Sequence, residues 1–126
     1  SVRPHLEPDG VLAFHIFNPD LRLLCRPGGQ RFGVMETTSS SHGKITVEST
    51  NDYDRLSQAN GATWFISTAE KQDAWVVPLH LRSVFPQELP VLLAANGFRL
   101  SKRDGDYSGG HFTSASPNQV CQCQVA

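Results

Sequence analysis

The chain has 126 residues, with 11 Lys and Arg against 12 Asp and Glu and a formal net charge of −1. This length suits one domain with its own hydrophobic core, so residues 1–126 are predicted to form a single domain. The near-neutral charge gives no field that would attract nucleic acid or an anionic membrane surface. No apolar run approaches the roughly 20 residues of a membrane helix. We therefore expect neither nucleic acid nor a membrane among the partners.

The cysteines indicate a reducing compartment. There are three of them, and Cys121 and Cys123 lie two positions apart, which places both side chains on one face of a strand. An odd number without metal-ligand spacing is typical of reduced, buried thiols. Residues 1–5 show no basic segment followed by an apolar core, as a secretory signal would. A cytoplasmic location is the resulting expectation.

The first third of the chain predicts one strand and little else that is regular. Val11 to Phe17 is apolar on both faces, which is typical of a central strand covered on both sides. Asn18-Pro19 ends it, because proline removes a backbone donor and restricts the residue before it. Residues 21–25 are predicted as a short helical turn. Residues 37–43 are rich in Ser and Thr and are predicted as an exposed loop.

The middle of the chain alternates with the period of two that strands show, and it predicts a three-strand antiparallel meander. The first strand begins at Ile45 and reaches Tyr53, the second covers residues 62–68, and the third covers residues 74–83. Pro78 lies within the third strand and cannot donate to a ladder. This strand is therefore expected at a sheet edge or at a bulge.

One main amphipathic helix is predicted near residues 86–96, followed by two C-terminal strands. Asn96-Gly97 supplies a left-handed stop, and Pro90 moves the expected start of the helix towards Leu89. The strands cover residues 98–101 and 119–125, with a long loop between them. The predicted fold class is α+β, with a mixed, mostly antiparallel sheet.

Several phrases of the sequence resemble the C-terminal half of class I S-adenosylmethionine-dependent methyltransferases. Residues 6–14 are similar to that family's turn into its fifth strand, and residues 85–98 are similar to its last helix. The meander looks like the inserted lid sheet of small-molecule methyltransferases in this group. The phrases that carry this likeness are Tyr53-Asp54-Arg55, Thr63-Trp64-Phe65, Val77 to Ser83, Gly105-Asp106-Tyr107 and Val120 to Cys123.

The chain departs from the family where the cofactor would bind. The family's glycine-rich loop and the acidic residue that accepts the ribose hydroxyls would precede residue 1, and Gly28-Gly29 and Gly109-Gly110 do not replace them. The resemblance therefore implies the substrate-side half of a small-molecule methyltransferase that is not catalytically competent alone. It implies no cofactor for this chain alone, and S-adenosylmethionine only if an N-terminal half is supplied.

The resemblance also suggests substrate-binding residues at three places. Asn18 and Pro19 would lie at the end of the strand where open α/β sheets bind ligands. The lid would offer aromatic rings and polar groups, and a loop after Gly105 would lie near the site mouth. For each residue the alternative is structural: a turn, core packing or a solvated face. The candidates are Asn18, Pro19, Tyr53, Trp64, His80, Arg82, Asp106 and Tyr107.

A second hypothesis treats the chain as a stand-alone, non-catalytic module that binds a small ligand or another protein. A strand such as Val11 to Phe17, without neighbours, would pair with a second copy, so a homodimer is expected. The five histidines lack the spacing of zinc sites, and we expect no metal. No nucleophile elbow or activated thiol is present, so no catalytic residue is predicted.

Overall fold

The computed structural model describes residues 2–126. In these residues the chain forms a short 3-10 turn at Arg3–His5 and ten further elements. They are β1 (Val11–Phe17), α1 (Leu21–Leu24), β2 (Phe32–Ser39), β3 (Gly43–Thr50), β4 (Tyr53–Asp54), β5 (Ala59–Ser67), β6 (Trp75–Arg82), α2 (Leu89–Ala95), β7 (Phe98–Asp104) and β8 (Asn118–Val125). The many strands and few helices agree with the α+β class. The single mixed sheet that was predicted is not found in residues 2–126, because the strands form two sheets and every described strand pair is antiparallel.

The chain divides into two compact units. Unit 1 comprises residues 2–20 and 84–126 of the described chain, and unit 2 comprises residues 21–83. Unit 2 is therefore one continuous segment, whereas unit 1 is made of two. That the whole chain folds as one domain stays a prediction from its length.

Unit 1 is a three-stranded antiparallel sheet in the order β1-β8-β7, with α2 packed on it. The alternation predicted for residues 119–125 is present, and Cys121 and Cys123 are fully buried as expected. They pack with Leu89 and Leu93 of α2 and with Phe98. Cys25 differs from the prediction, because it is exposed in unit 2.

Strand β1 is not covered on both sides. Alternate residues are half-buried and exposed, with Leu12, Phe14 and Ile16 packed against the core while Phe17 is 72% exposed. Within residues 2–126, β1 pairs only with β8. The expectation of a central, doubly covered strand was therefore wrong for the described chain, because a run of apolar residues does not by itself show what lies on either face.

The helix α2 begins at Leu89, as the position of Pro90 suggested, and it is shorter than residues 86–96. Pro90 falls in the first turn, where its missing N–H would have no helical partner in any case. Gly97 ends the helix with φ +77, a left-handed conformation that favours glycine. The guanidinium of Arg3 lies against Gly97, where a Cβ atom would come within 2.9 Å of it.

Unit 2 is a five-stranded antiparallel sheet in which β5 is central. The order is β2-β3-β5-β4, and β6 pairs with the other side of β5. The predicted meander corresponds to β3, β5 and β6, with residues 53–54 separated from β3 as β4. In the described chain β6 pairs only with β5, so Pro78 lies on an edge strand as predicted.

The predicted loop at residues 37–43 was wrong, because its first half is strand. Residues 37–39 belong to β2 and pair with residues 43–45 of β3 in a tight hairpin. Gly43 has φ +65 at the turn. The Ser- and Thr-rich composition favoured a loop, whereas the β-branched threonines suit a pleated strand. No helix in residues 2–126 has the length and apolar character needed to cross a bilayer.

Candidate functional site

The eight predicted substrate-binding residues divide equally between the units. Asn18, Pro19, Asp106 and Tyr107 belong to unit 1, and Tyr53, Trp64, His80 and Arg82 belong to unit 2. Their roles in binding stay predictions, and what the structure gives is the setting of each side chain.

Asn18 is fixed at the end of β1 by the segment that leads into β8. Its side-chain Nδ2 donates to the carbonyl oxygen of Ser116 at 2.8 Å, and its backbone N–H donates to the carbonyl of Pro117 at 2.9 Å. Asn18 and Pro19 are half-buried. These bonds connect Asn18 to the segment before β8 at the point where the chain leaves the sheet.

The loop after β7 brings Tyr107 to the exposed side of β1. Asp106 folds the loop by accepting hydrogen bonds from the backbone N–H groups of Ser108 at 2.8 Å and Gly110 at 3.0 Å. Tyr107 is 72% exposed and meets His15 edge-to-face, with ring centroids 5.5 Å apart. His15 was not among the predicted residues, although its outward position follows from the alternation along β1.

In unit 2 the four predicted residues lie on opposite faces of the sheet. Tyr53 pairs with Asn60 across β4 and β5, and Trp64 lies four positions further along β5, so both belong to one face. His80 pairs with Gly61, which alternates to the other face. Arg82 lies on that second face too, and its Nη2 donates to Oε1 of Gln58 at 3.1 Å. The sequence did not separate these two faces.

The side chain of Asp54, beside Tyr53, makes hydrogen bonds within the turn that follows it. Its carboxylate accepts hydrogen bonds from the hydroxyl of Ser57 and from the backbone N–H groups of Leu56 and Ser57. The hydroxyl of Ser57 and then these backbone donors lower the pKa of Asp54. A carboxylate with a lowered pKa stays ionised near neutral pH and is a poor general base.

A buried pair of asparagines in unit 2 was missed by the sequence reasoning. Asn60 Nδ2 donates to Oδ1 of Asn51 at 3.2 Å, and Asn51 Nδ2 donates to the carbonyl oxygen of Leu23 at 3.0 Å. Asn51 is 7% exposed and Asn60 is 8% exposed. Oδ1 of Asn60 is buried and has no hydrogen-bond donor within residues 2–126. The sequence feature that could have revealed this pair is Asn60, at a core-facing position of a strand. Asparagine is disfavoured in strands, so its presence there needs an explanation.

No group of three His, Cys, Asp or Glu side chains in residues 2–126 is arranged to hold a metal ion. The glycine pairs do not form a nucleotide cradle either. Gly28 and Gly29 lie between α1 and β2 rather than between a strand and a helix. The N–H of Gly110 is already used by Asp106. The described residues therefore do not fit an S-adenosylmethionine site of the glycine-loop kind.

The sequence matches no protein-family model and no curated protein. Its fold does match solved structures. The CcbJ methyltransferase from Streptomyces caelestis overlaps 98% of this chain at 22% identity with a TM-score of 0.78, over 50% of its own length. An S-adenosylmethionine-dependent methyltransferase from Clostridium acetobutylicum overlaps 99% of this chain at 13% identity with a TM-score of 0.70, over 48% of its own length.

These similarities concern the fold. The chain has part of a methyltransferase-like fold and spans about half the length of the two methyltransferases that it matches. Identity this low carries architecture and not activity, because one fold supports many functions.

Proposed function

We propose that this chain forms the substrate-binding side of a small-molecule, S-adenosylmethionine-dependent methyltransferase, and that it does not transfer methyl groups by itself. The observation that supports the proposal is the fold similarity, which covers nearly all of this chain and about half of a methyltransferase. The poor fit of the described residues to the cofactor supports the claim that the chain does not transfer methyl groups by itself. S-adenosylmethionine, when bound, supplies the methyl group and most of the driving force for its transfer.

The sheet of unit 2 offers a surface of the type that binds small molecules. The face that carries Tyr53 and Trp64 also carries Trp75. The two tryptophans are 38% and 47% exposed. Aromatic rings provide apolar area, while the indole N–H and phenol O–H give an orientation to the ligand. In methyl transfer the protein mainly aligns the nucleophile with the methyl group, so a binding surface of this kind is sufficient on the substrate side.

Calorimetric titration of the chain with S-adenosylhomocysteine tests the second part of the proposal. We expect no saturable heat at ligand concentrations that saturate the positive control, the S-adenosylmethionine-dependent methyltransferase from C. acetobutylicum. Micromolar binding to this chain alone would contradict the proposal, because it would require a cofactor site without a glycine loop.

Tryptophan fluorescence tests the first part, because both tryptophans of the chain lie in unit 2. Titration with a panel of small aromatic alcohols and amines is expected to quench the emission saturably. Trp64→Phe should lose most of the signal change if the ligand contacts that ring. If no member of the panel changes the emission of the native chain up to its solubility limit, the substrate-binding proposal fails.

The exposed strand β1 favours a second candidate, a non-catalytic interaction module. Val11 and Phe17 are exposed, and among residues 2–126 the strand has one paired edge only. An unpaired edge can add a strand from another chain. Sedimentation at tens of micromolar distinguishes the candidates: a homodimer that Phe17→Lys converts to a monomer would favour the module, and a monomeric native chain would oppose it.

A further inference from the structure

The two buried asparagines of unit 2 form a directed series of hydrogen bonds. It begins at the carbonyl oxygen of Leu23, passes through the amide of Asn51 and ends at the amide of Asn60. Each amide in the series uses its N–H as a donor towards Leu23 and leaves its oxygen facing the other way. The series therefore ends in one acceptor, Oδ1 of Asn60, which no group of residues 2–126 satisfies.

The orientation of Asn60 is fixed by its partner and not chosen arbitrarily. If the amide were turned over, its oxygen would face Oδ1 of Asn51, and two acceptors would be in contact. Turning both amides over would place the NH₂ group of Asn60 at the buried end of the series but would set Oδ1 of Asn51 against the carbonyl of Leu23. Only the observed orientation satisfies both internal contacts, so the unmatched group is an oxygen.

The acceptor at the end of the series is also a strong one. Hydrogen bonds aligned in one direction polarise one another, and the effect is larger away from water. The free oxygen of Asn60 therefore carries more negative partial charge than an isolated amide. A buried acceptor without a donor is costly and rare in native proteins, so a donor group is expected there.

The surroundings of Asn60 suit an organic ligand. Tyr53 and Leu81 are its direct neighbours across the strands on either side, so an aromatic ring and an aliphatic side chain flank it on the same face. Leu81 belongs to the edge strand β6 and is 46% exposed. A ligand with an apolar body and one polar donor would match this combination.

We propose that Oδ1 of Asn60 accepts a hydrogen bond from a hydroxyl or amino group of a small-molecule ligand, whose apolar part packs between Tyr53 and Leu81. This inference rests on the proposed function, since it identifies the class of substrate: a small alcohol or amine. Such groups are also the nucleophiles to which methyl groups are transferred. Asn60 would orient the donor group and is a positioning residue.

The test compares two probes that differ in the donor alone, benzyl alcohol and benzyl methyl ether. The chain is labelled with ¹⁵N in its asparagine side chains, and the side-chain amide resonances of Asn60 and Asn51 are followed during titration. We expect benzyl alcohol to shift both saturably, at least fivefold more tightly than the ether. Equal responses to the two probes, or no response to either, would overturn the proposal.

Asn60→Leu, which has a similar volume and no acceptor, is expected to abolish the preference for the alcohol in tryptophan fluorescence. Asn96→Leu, at an exposed position on the helix end of unit 1, is the matched control and should keep it. If Asn60→Leu does not fold, the two-probe comparison on the native chain still decides. A high-resolution structure in which a water donates to Asn60 Oδ1 and benzyl alcohol does not displace it would also overturn the proposal.

These outcomes are separable from a failure of the proposed function. Neither probe experiment needs the cofactor. If aromatic ligands quench Trp64 while the Asn60 resonances stay unchanged, the Asn60 site is wrong and the substrate-side proposal stands. If S-adenosylhomocysteine binds the chain, the proposed lack of a cofactor site is wrong, and the Asn60 result is unaffected.

Discussion

Arg103 donates a hydrogen bond from Nη1 to Oε1 of Gln119 at 3.3 Å, and Gln119 is fully buried in β8. The same nitrogen of Arg103 lies 2.7 Å from the carbonyl oxygen of Pro86, and Nε2 of Gln119 donates to the carbonyl of Val84 at 3.1 Å. Together the two side chains hold residues 84–86, the segment that leads into α2, against the sheet of unit 1.

Replacing Gln119 with leucine should destabilise the chain by about 1–3 kcal/mol, because the carbonyl of Val84 loses its donor and Arg103 loses an acceptor. The free energy of unfolding in urea measures this. Gln122→Leu, an exposed position on the same strand, is the control and should change stability by no more than about 0.5 kcal/mol. Similar losses for both variants would show that the buried hydrogen bonds contribute little.

Gly97→Ala should cost about 1–2 kcal/mol, because an alanine at φ +77 is strained and its methyl group would meet Arg3. Gly33→Ala is the matched control in β2, where no atom lies within 4 Å of the added methyl group. It should be neutral or slightly stabilising. A thermal melt of both variants checks the difference, and an unchanged Gly97→Ala melt would contradict the strain.

The three thiols should differ in reactivity. Burial raises the pKa of Cys121 to about 11, with a smaller contribution from Cys123, and burial also raises the pKa of Cys123. At pH 8 about one Cys121 in a thousand would be a thiolate, even before access is considered. An aromatic disulfide reagent should therefore modify Cys25 alone in the native chain and all three thiols in denaturant. Rapid modification of three native thiols would oppose the buried placement.

The same raised pKa predicts an alkaline loss of stability. A thiol whose pKa is higher in the folded than in the unfolded chain stabilises the fold below the unfolded value, and this contribution disappears as the pH rises. From the unperturbed value of 9.0 towards 11, the free energy of unfolding should fall more steeply for the native chain than for Cys121→Val. Parallel profiles for the two proteins would show that Cys121 does not titrate in this way.

Asp73 should contribute to stability above acidic pH. Arg31 makes a bidentate ion pair with it, at 2.9 and 2.8 Å, and the hydrogen bonds of Arg31 lower the pKa of Asp73. A carboxyl with a lowered pKa stabilises the fold above its unfolded value of 3.8, and the contribution is lost as the pH falls below it.

Asp73→Asn should therefore make the free energy of unfolding depend less on pH in the acidic range. Asparagine tolerates the left-handed backbone of this position, φ +48, so the fold is kept. Arg31→Met should reduce this pH dependence by the same amount, because the pair is then broken from the other side. The double variant should add nothing to either, and an additive double variant would show that the two residues act independently.

Much of the sheet structure was predictable because alternation along a strand is a local property. The meander, the edge position of Pro78, the late start of α2 and the buried faces of residues 121 and 123 all follow from nearby residues. The hairpin of residues 37–43 was missed because Ser and Thr suit both loops and strands, and only the partner strand decides between them.

The candidate site was less predictable because it depends on which strands pair. The sequence grouped Tyr53, Trp64, His80 and Arg82 in one lid, whereas pairing with β5 places them on two faces. The Asn51–Asn60 pair joins the link between β3 and β4 to strand β5, and the carbonyl that anchors it belongs to Leu23 of α1, 28 positions before Asn51. The partners of β1 are likewise not encoded in its own apolar pattern.

The antiparallel pairing of β1 with β8 has a consequence for the order of folding. Phe17 pairs with Asn118, so all of unit 2 is synthesised between β1 and its partner β8. Unit 2, which is continuous, can form during translation before β8 is available to pair with β1. Contacts this distant in sequence slow folding, and a nascent chain with an unpaired apolar strand is a substrate for chaperones. High expression rates should therefore favour inclusion bodies over soluble protein.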